Sequence, residues 1–152
     1  MPPSTSEALM GDPIVQFTVF ADNKVGRLHD LLLELSRNDL HVLALSLVDS
    51  TECTLIRVIV DYPENTRQLL RDRHLPFSES EILAVEIETE ASIRSVTAAL
   101  VEAEINIQYA YPFLKRPNGA CALVLHLEDP ELSETVLRGK GFKILRQSDL
   151  AR

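Results

Sequence analysis

Residues 23–28 read NKVGRL and stand just ahead of apolar residues at helical spacing. An amide, two cations and a glycine at the opening of a helix suit the binding of a carboxylate. The first turn of a helix leaves three or four backbone N–H groups without partners. They carry partial positive charge, and an anion can settle on them. Gly26 lets a ligand approach the backbone and can supply a positive φ. Asn23 can bond the ligand or the loop itself, and Lys24 and Arg27 add charge. The same residues also suit an ordinary capped helix start, with Arg27 solvated. A helix terminus contributes only about 0.3–1 kcal/mol to a bound charge. A micromolar ligand needs about 8 kcal/mol, so a site here requires a second wall.

Tyr109, Tyr111 and Phe113 alternate along INIQYAYPFL and so share one face of a strand. The hydroxyls of Tyr109 and Tyr111 are one source of that second wall. The simpler reading packs the rings under helices or between sheets. Arg57 sits among apolar residues in CTLIRVIVD. A buried, unpaired arginine is costly, so an interface carboxylate or carbonyl is expected beside it, with a ligand contact as the less favoured alternative. His126 is expected to be a packed or rim residue and not a catalyst.

The remaining chemistry is mostly exclusion. GxSxG, P-loop and HExxH motifs are absent, so neither an enzyme nor a cofactor is expected. His29, His41, His74 and His126 are isolated from one another, which gives no metal site. Cys53 and Cys121 form no CxxC and read as free thiols of a reducing cytoplasm. The net charge of -8, a pI of about 5.0 and the lack of a basic stripe argue against nucleic acid and anionic membrane surfaces. No apolar run approaches the roughly 20 residues of a membrane-spanning helix. Residues 1–13 lack the basic and apolar segments of a signal or transit peptide and read as a polar tail.

The elements that position these residues occur twice. LHDLLLELSRNDLHV (28–42) aligns with IRSVTAALVEAEINI (93–107), so that Leu28, Leu31, Leu35, Leu40 and Val42 meet Ile93, Val96, Leu100, Ile105 and Ile107. Further on, DYPE (61–64) aligns with EDPE (128–131), with two extra residues in the second copy's hairpin. An ordered series of matches of this kind indicates duplication. In the first copy IVQFTVF (14–20) reads as a strand. Leu28, Leu31, Leu32 and Leu35 form the buried stripe of a helix, which Asn38 and Asp39 can end. HVLALSLVD (41–49) and CTLIRVIVD (53–61) are two strands, Pro63 opens a second helix, and LPFSES (75–80) is extended. The second copy runs LAVEIET, ASIRSVTAALVEA, INIQYAYPFL, ACALVLHLE, PELSETVLRGK and FKILRQS, with Asn118-Gly119 as its hairpin turn. Strand, helix, strand, strand, helix, strand is the ferredoxin-like βαββαβ order. The fold class is therefore α+β, with two tandem units, 14–80 and 81–150, each an antiparallel sheet with helices on one face. The other face of each sheet must meet something. A unit of about 65 residues is marginal alone, and a homodimer is expected.

This order, with DNKVGRL (22–28) opening the first helix and LHVLALSLVDS after it, resembles an ACT domain, and the whole chain resembles a small tandem ACT protein. In that family an acidic or amide residue precedes Pro-Gly-x-Leu. Asn23, Lys24, Gly26, Arg27 and Leu28 match, and Val25 stands where proline is usual. The resemblance implies a non-enzymatic regulatory module that binds an amino acid or related metabolite. Its contacts would be Asn23, Lys24, Val25, Gly26, Arg27 and Leu28, with another ACT unit as the wall. The alternative is a regulatory subunit of an amino-acid biosynthetic enzyme such as acetolactate synthase, acting by protein–protein contact. In the second copy Glu90 and Ala91 replace Pro and Gly, while Ile93 keeps the Leu position. Glu88 and Glu90 would repel an anion there, so binding is expected at the first copy.

Overall fold

The computed structural model describes residues 11–114 and 119–150. Most of the polar N-terminal stretch, and Asn118 of the expected turn, lie outside the described residues. The first run of elements is β1 (Ile14–Ala21), α1 (Arg27–Arg37), β2 (Val42–Asp49), β3 (Thr54–Val60), α2 (Pro63–Asp72) and β4 (Phe77–Ile87). The second is α3 (Glu90–Glu102), β5 (Ile107–Pro112), β6 (Cys121–Leu127), α4 (Pro130–Gly139), β7 (Ile144–Leu145) and α5 (Gln147–Leu150). The strands form one antiparallel sheet in the order β2-β3-β1-β4-β6-β5, with β7 also on β4. This is the βαββαβ pattern twice over.

The duplication is visible in the backbone itself. Asp39 and Glu104, at matched positions past the first helix of each copy, both take φ 56°. Leu40 N donates to Leu35 O and Ile105 N to Leu100 O, each at 2.9 Å, closing both helices in the same way. Irregularities follow at Val42/Ala44 and at Ile107/Tyr109, again in register.

Two strands expected at 75–80 and 83–89 are a single one. β4 pairs with β1 from Phe77 to Ile82 and with β6 from Leu83 to Ile87. It closes the first unit and opens the second without a turn between them. FKILRQS, expected as a strand, pairs only at Ile144 and Leu145. Continued pairing would bring Gln147 to Ile82, and β1 already reaches β4 there through Ile14. The chain turns into α5 instead, with Gln147 N donating to Asp12 O at 3.0 Å.

Alternation along each strand builds three cores. Phe17, Val19, Ile56 and Val58 face α1 and α2, where they meet Leu31, Leu35 and Leu70. Leu83, Val85 and Leu125 face α3 and α4, where they meet Val96, Leu100 and Leu137. The opposite faces of the sheet curl onto each other. Ile14, Ala44, Ile59, Ile82, Tyr111, Phe113 and Val124 form a third, inner core. The outer strands β2 and β5 touch through an Ala44–Phe113 bridge, and Leu114 N donates to Leu43 O at 2.8 Å. The faces left open by each unit therefore cover one another within the chain.

Candidate functional site

β1 ends at Ala21, and the loop that follows is shaped by hydrogen bonds the sequence does not advertise. The Asn23 side-chain amide donates to Ser50 O at 2.9 Å, and its oxygen accepts from Thr54 Oγ1 at 2.7 Å. Asn23 thus pins the loop to the β2–β3 turn; of its two expected roles, it takes the structural one. Val25 is fully exposed, and Leu28 is half-buried against the helix-side core. Gly26 is the residue before α1, at φ 91° and ψ 0°, and no side chain caps the helix. Gly26 O accepts from Asp30 N at 2.9 Å. The first N–H groups of α1 lack a side-chain cap, as an anion site requires.

Asp22 gathers the cations of the loop. Arg27 donates Nε and Nη2 to its carboxylate, the latter at 3.2 Å, and Lys24 Nζ lies 3.7 Å away. Arg27 holds the Asp22 carboxyl below its ordinary range, chiefly through the hydrogen bond. Arg27 also lies 3.6 Å from Asp30.

Asp22, Arg27 and Asp30 border a cavity of about 510 Å³ on the helix side of the sheet; of residues 23–28 only Arg27 lines it. Such a volume is in the range of small-molecule sites. Val19, Leu31, Ile56 and Leu75 give it apolar walls, and Asp22, Asp30, Glu34, Arg27 and Arg73 give it both signs of charge. Arg73 Nε donates to Glu34 at 2.9 Å. The sequence reading missed Asp22, Asp30, Glu34 and Arg73 as site residues. Asp22 stood next to the loop and was readable; no spacing rule links Glu34 of α1 to Arg73 at the end of α2.

The matching helix mouth of the second copy is built differently. Thr89 precedes α3 and its hydroxyl accepts from Ser92 N at 3.4 Å, while Ser92 Oγ accepts from Thr89 N at 3.3 Å. This reciprocal cap occupies donors that α1 leaves open. The neighbouring hollow, about 190 Å³, has Glu86 and Glu88 in its wall.

Tyr109 and Tyr111 do not join the loop. Their rings lie on the inner face of the sheet, and the cavity lies on the helix side. Tyr109 OH accepts from Gln16 Nε2 at 2.7 Å, and Tyr111 OH donates to Gln16 Oε1 at 2.5 Å. Gln16 itself is fully buried. Six residue steps along the chain separate Gln16 from Asp22, about 20 Å of strand. The tyrosines tie one unit to the other, and they are no wall for residues 23–28. Arg57 also differs from expectation. Its guanidinium lies 3.8 Å from the centre of the Tyr109 ring, with no carboxylate partner among the described residues. His126 is packed, its ring 4.6 Å from that of Tyr109 and nearly parallel.

Burial and the charge of Arg57 hold His126 below its ordinary pKa of 6.5. The unfolded chain therefore binds a proton there at a pH where the folded one does not. The stability gained from neutral His126 is complete above about pH 6.5 and is lost as the pH falls toward the lowered native value. Urea midpoints should fall between about pH 7.5 and 5.5, and His126→Gln should flatten that part of the profile. An unchanged slope in the variant contradicts this assignment.

Residues 12–152 match the family model described as an ACT domain pair. The chain belongs to the ACT domain pair family. The ACT domain pair seen here is similar over 92% of its length to protein BT0572 from Bacteroides thetaiotaomicron, covering 96% of that chain at 23% identity and a TM-score of 0.82. It is also similar to the ligand-free regulatory subunit of aspartate kinase from Thermus thermophilus, at 12% identity and a TM-score of 0.59, with 83% and 89% of the two chains covered. These likenesses concern the fold. No curated protein matches the ACT pair in sequence. ACT domains are regulatory modules, and the neighbours include regulatory subunits. Among the described residues, no helix is long and apolar enough to cross a membrane.

Proposed function

We propose that this ACT pair is a non-enzymatic regulatory module whose first unit binds an amino acid or related small zwitterion at the mouth of α1. The observation that carries this reading is the uncapped helix start at Gly26 opening beside a cavity of about 510 Å³ lined by both signs of charge. A carboxylate fits the free N–H groups at the start of α1. An ammonium group fits Asp22, Asp30 or Glu34, and an apolar side chain fits Leu31 and Leu75. In this reading the units are 14–80 and 81–150, and the second is scaffold. The module is a cytoplasmic homodimer, and an amino-acid biosynthetic enzyme reads its ligand state, by analogy with the aspartate kinase regulatory subunit.

A thermal-shift screen of the standard amino acids, followed by calorimetry with the best hit, tests it. Gly26→Asp puts a carboxylate at the helix mouth; its Cβ meets nothing within 4 Å but strains the backbone at φ 91°, so Gly26→Ala is the control for that strain. Affinity should fall about tenfold or more in Gly26→Asp. Ala91→Asp should bind as the wild type does. Loss confined to Ala91→Asp moves the site to the second copy, and a screen without a hit removes the proposal. Light scattering of the same samples reads the assembly.

A further inference from the structure

The inner face of the sheet carries a charge that the helix-mouth site does not use. Arg57 on β3 stands opposite Ser46 of β2 and Thr18 of β1, and Ser78 of β4 continues the row. Arg57 is half-buried, its Nε is buried without a hydrogen-bond partner, and no ion pair involves it among the described residues. Its guanidinium is stacked on Tyr109, whose hydroxyl is held by Gln16. A guanidinium presents its N–H donors in its own plane. Stacking on a ring therefore holds the group in place and leaves the donors for an acceptor. Nearby, His126 Nδ1 is also buried and unpartnered.

The next row toward the strand ends is apolar. Leu55 stands opposite Val48 on one side and Phe20 on the other. Phe20 and Val48 remain 38% and 40% exposed. By alternation these three share the face of Arg57. An unpaired cation thus sits below an apolar lip.

The geometry points to a binding site for a small monocarboxylate on this inner face, with its carboxylate on Arg57 and its apolar tail on Phe20, Leu55 and Val48. A carboxylate can take two parallel N–H bonds from a guanidinium. The site favours a simple anion over a zwitterion, because no carboxylate pairs with Arg57 and an ammonium group would lie beside the guanidinium uncompensated. The helix mouth, with Asp22, Asp30 and Glu34, has the opposite preference. The two sites lie on opposite sides of the sheet and share only Phe20 among their residues, so Arg57 and Val48 test this inference apart from the reading above.

Calorimetry on the full chain with phenylacetate and 4-methylvalerate, against L-phenylalanine and L-leucine, separates them. Phenylacetate should bind wild type and Gly26→Asp alike, and Arg57→Gln should weaken it about tenfold or more. Val48→Asp, at an exposed position, should weaken it as well and keeps the test readable if Arg57→Gln fails to fold. In the wild type, a bound anion offsets the Arg57 charge, so the His126 titration midpoint followed by NMR should rise with phenylacetate. Equal binding by wild type and both variants overturns the site. So does an unmoved His126 midpoint at about 10 mM of either acid. A dimer that separates on Arg57→Gln would show the carboxylate to come from a second copy, and also overturns it.

Discussion

Gln16→Ala should destabilise the protein by about 2–5 kcal/mol, since it strips both tyrosine hydroxyls of their partner at once. Gln16 is fully buried, accepts from Tyr111 and donates to Tyr109 and to Thr18 at 3.3 Å. The buried Tyr111 hydroxyl left without a partner costs about 1–3 kcal/mol, the half-buried Tyr109 hydroxyl less, and the vacated volume adds to that. Tyr111→Phe removes one bond and leaves Gln16 its other partners, so its effect should be smaller, about 1–2 kcal/mol. Urea unfolding of both variants measures the difference. A change within about 0.5 kcal/mol for Gln16→Ala would mean that this network does not join the two units.

Phe17→Ala should cost about 3–5 kcal/mol. The ring is wholly buried, lies 6.0 Å from that of Phe77 and fills the core beneath α1 and α2. The shape of the transition is as informative as its midpoint. β4 lines the cores of both units, so loss of the first should pull down the second. Two of the three tyrosines, Tyr109 and Tyr111, lie in the second half. Their fluorescence should follow the same curve as circular dichroism. Two separated transitions would mean that the units unfold independently.

Local patterns in the sequence were legible where one element carried the whole signal. The stripe of Leu28, Leu31 and Leu35, the left-handed residue at Asp39 and the proline opening α2 each sit where their own chemistry puts them. The duplication was legible because both copies preserve the same stripe. The single β4 was not: SES between two apolar runs looks like a break, yet Ser78, Glu79 and Ser80 pair with β1 at a partly exposed edge of the sheet.

The site was legible only in part, for the same reason. Gly26 could be read because a positive φ before a helix is a local demand. Asn23 takes its partners from Ser50 and Thr54, and Arg27 takes its partner from Asp22, so side-chain pairing decided what remained free for a ligand. Gln16 is one amide in an apolar strand, and nothing local marks its role, because its partners come from β5. Arg57 was expected to find an interface carboxylate or carbonyl. It found an aromatic face instead, since Tyr109 alternates onto the same inner surface.

The placement of α5 bears on how the chain is made. Leu150 belongs to the inner core, Gln147 Oε1 accepts from Val15 N at 3.4 Å, and Gln147 Nε2 donates to Val60 O at 3.1 Å. Residues near the start of the chain thus await partners near its end. At translation rates of about 5–20 residues per second, roughly 10 s pass between the synthesis of Val15 and that of Gln147. Until β5 is made, Ile14, Ile59 and Gln16 lack their partners on the inner face, while the core between α1, α2 and the first strands can already form. A growing polypeptide on the ribosome therefore shows a finished outside and an unfinished inside. It is then that the nascent chain is most exposed to aggregation and most in need of a chaperone.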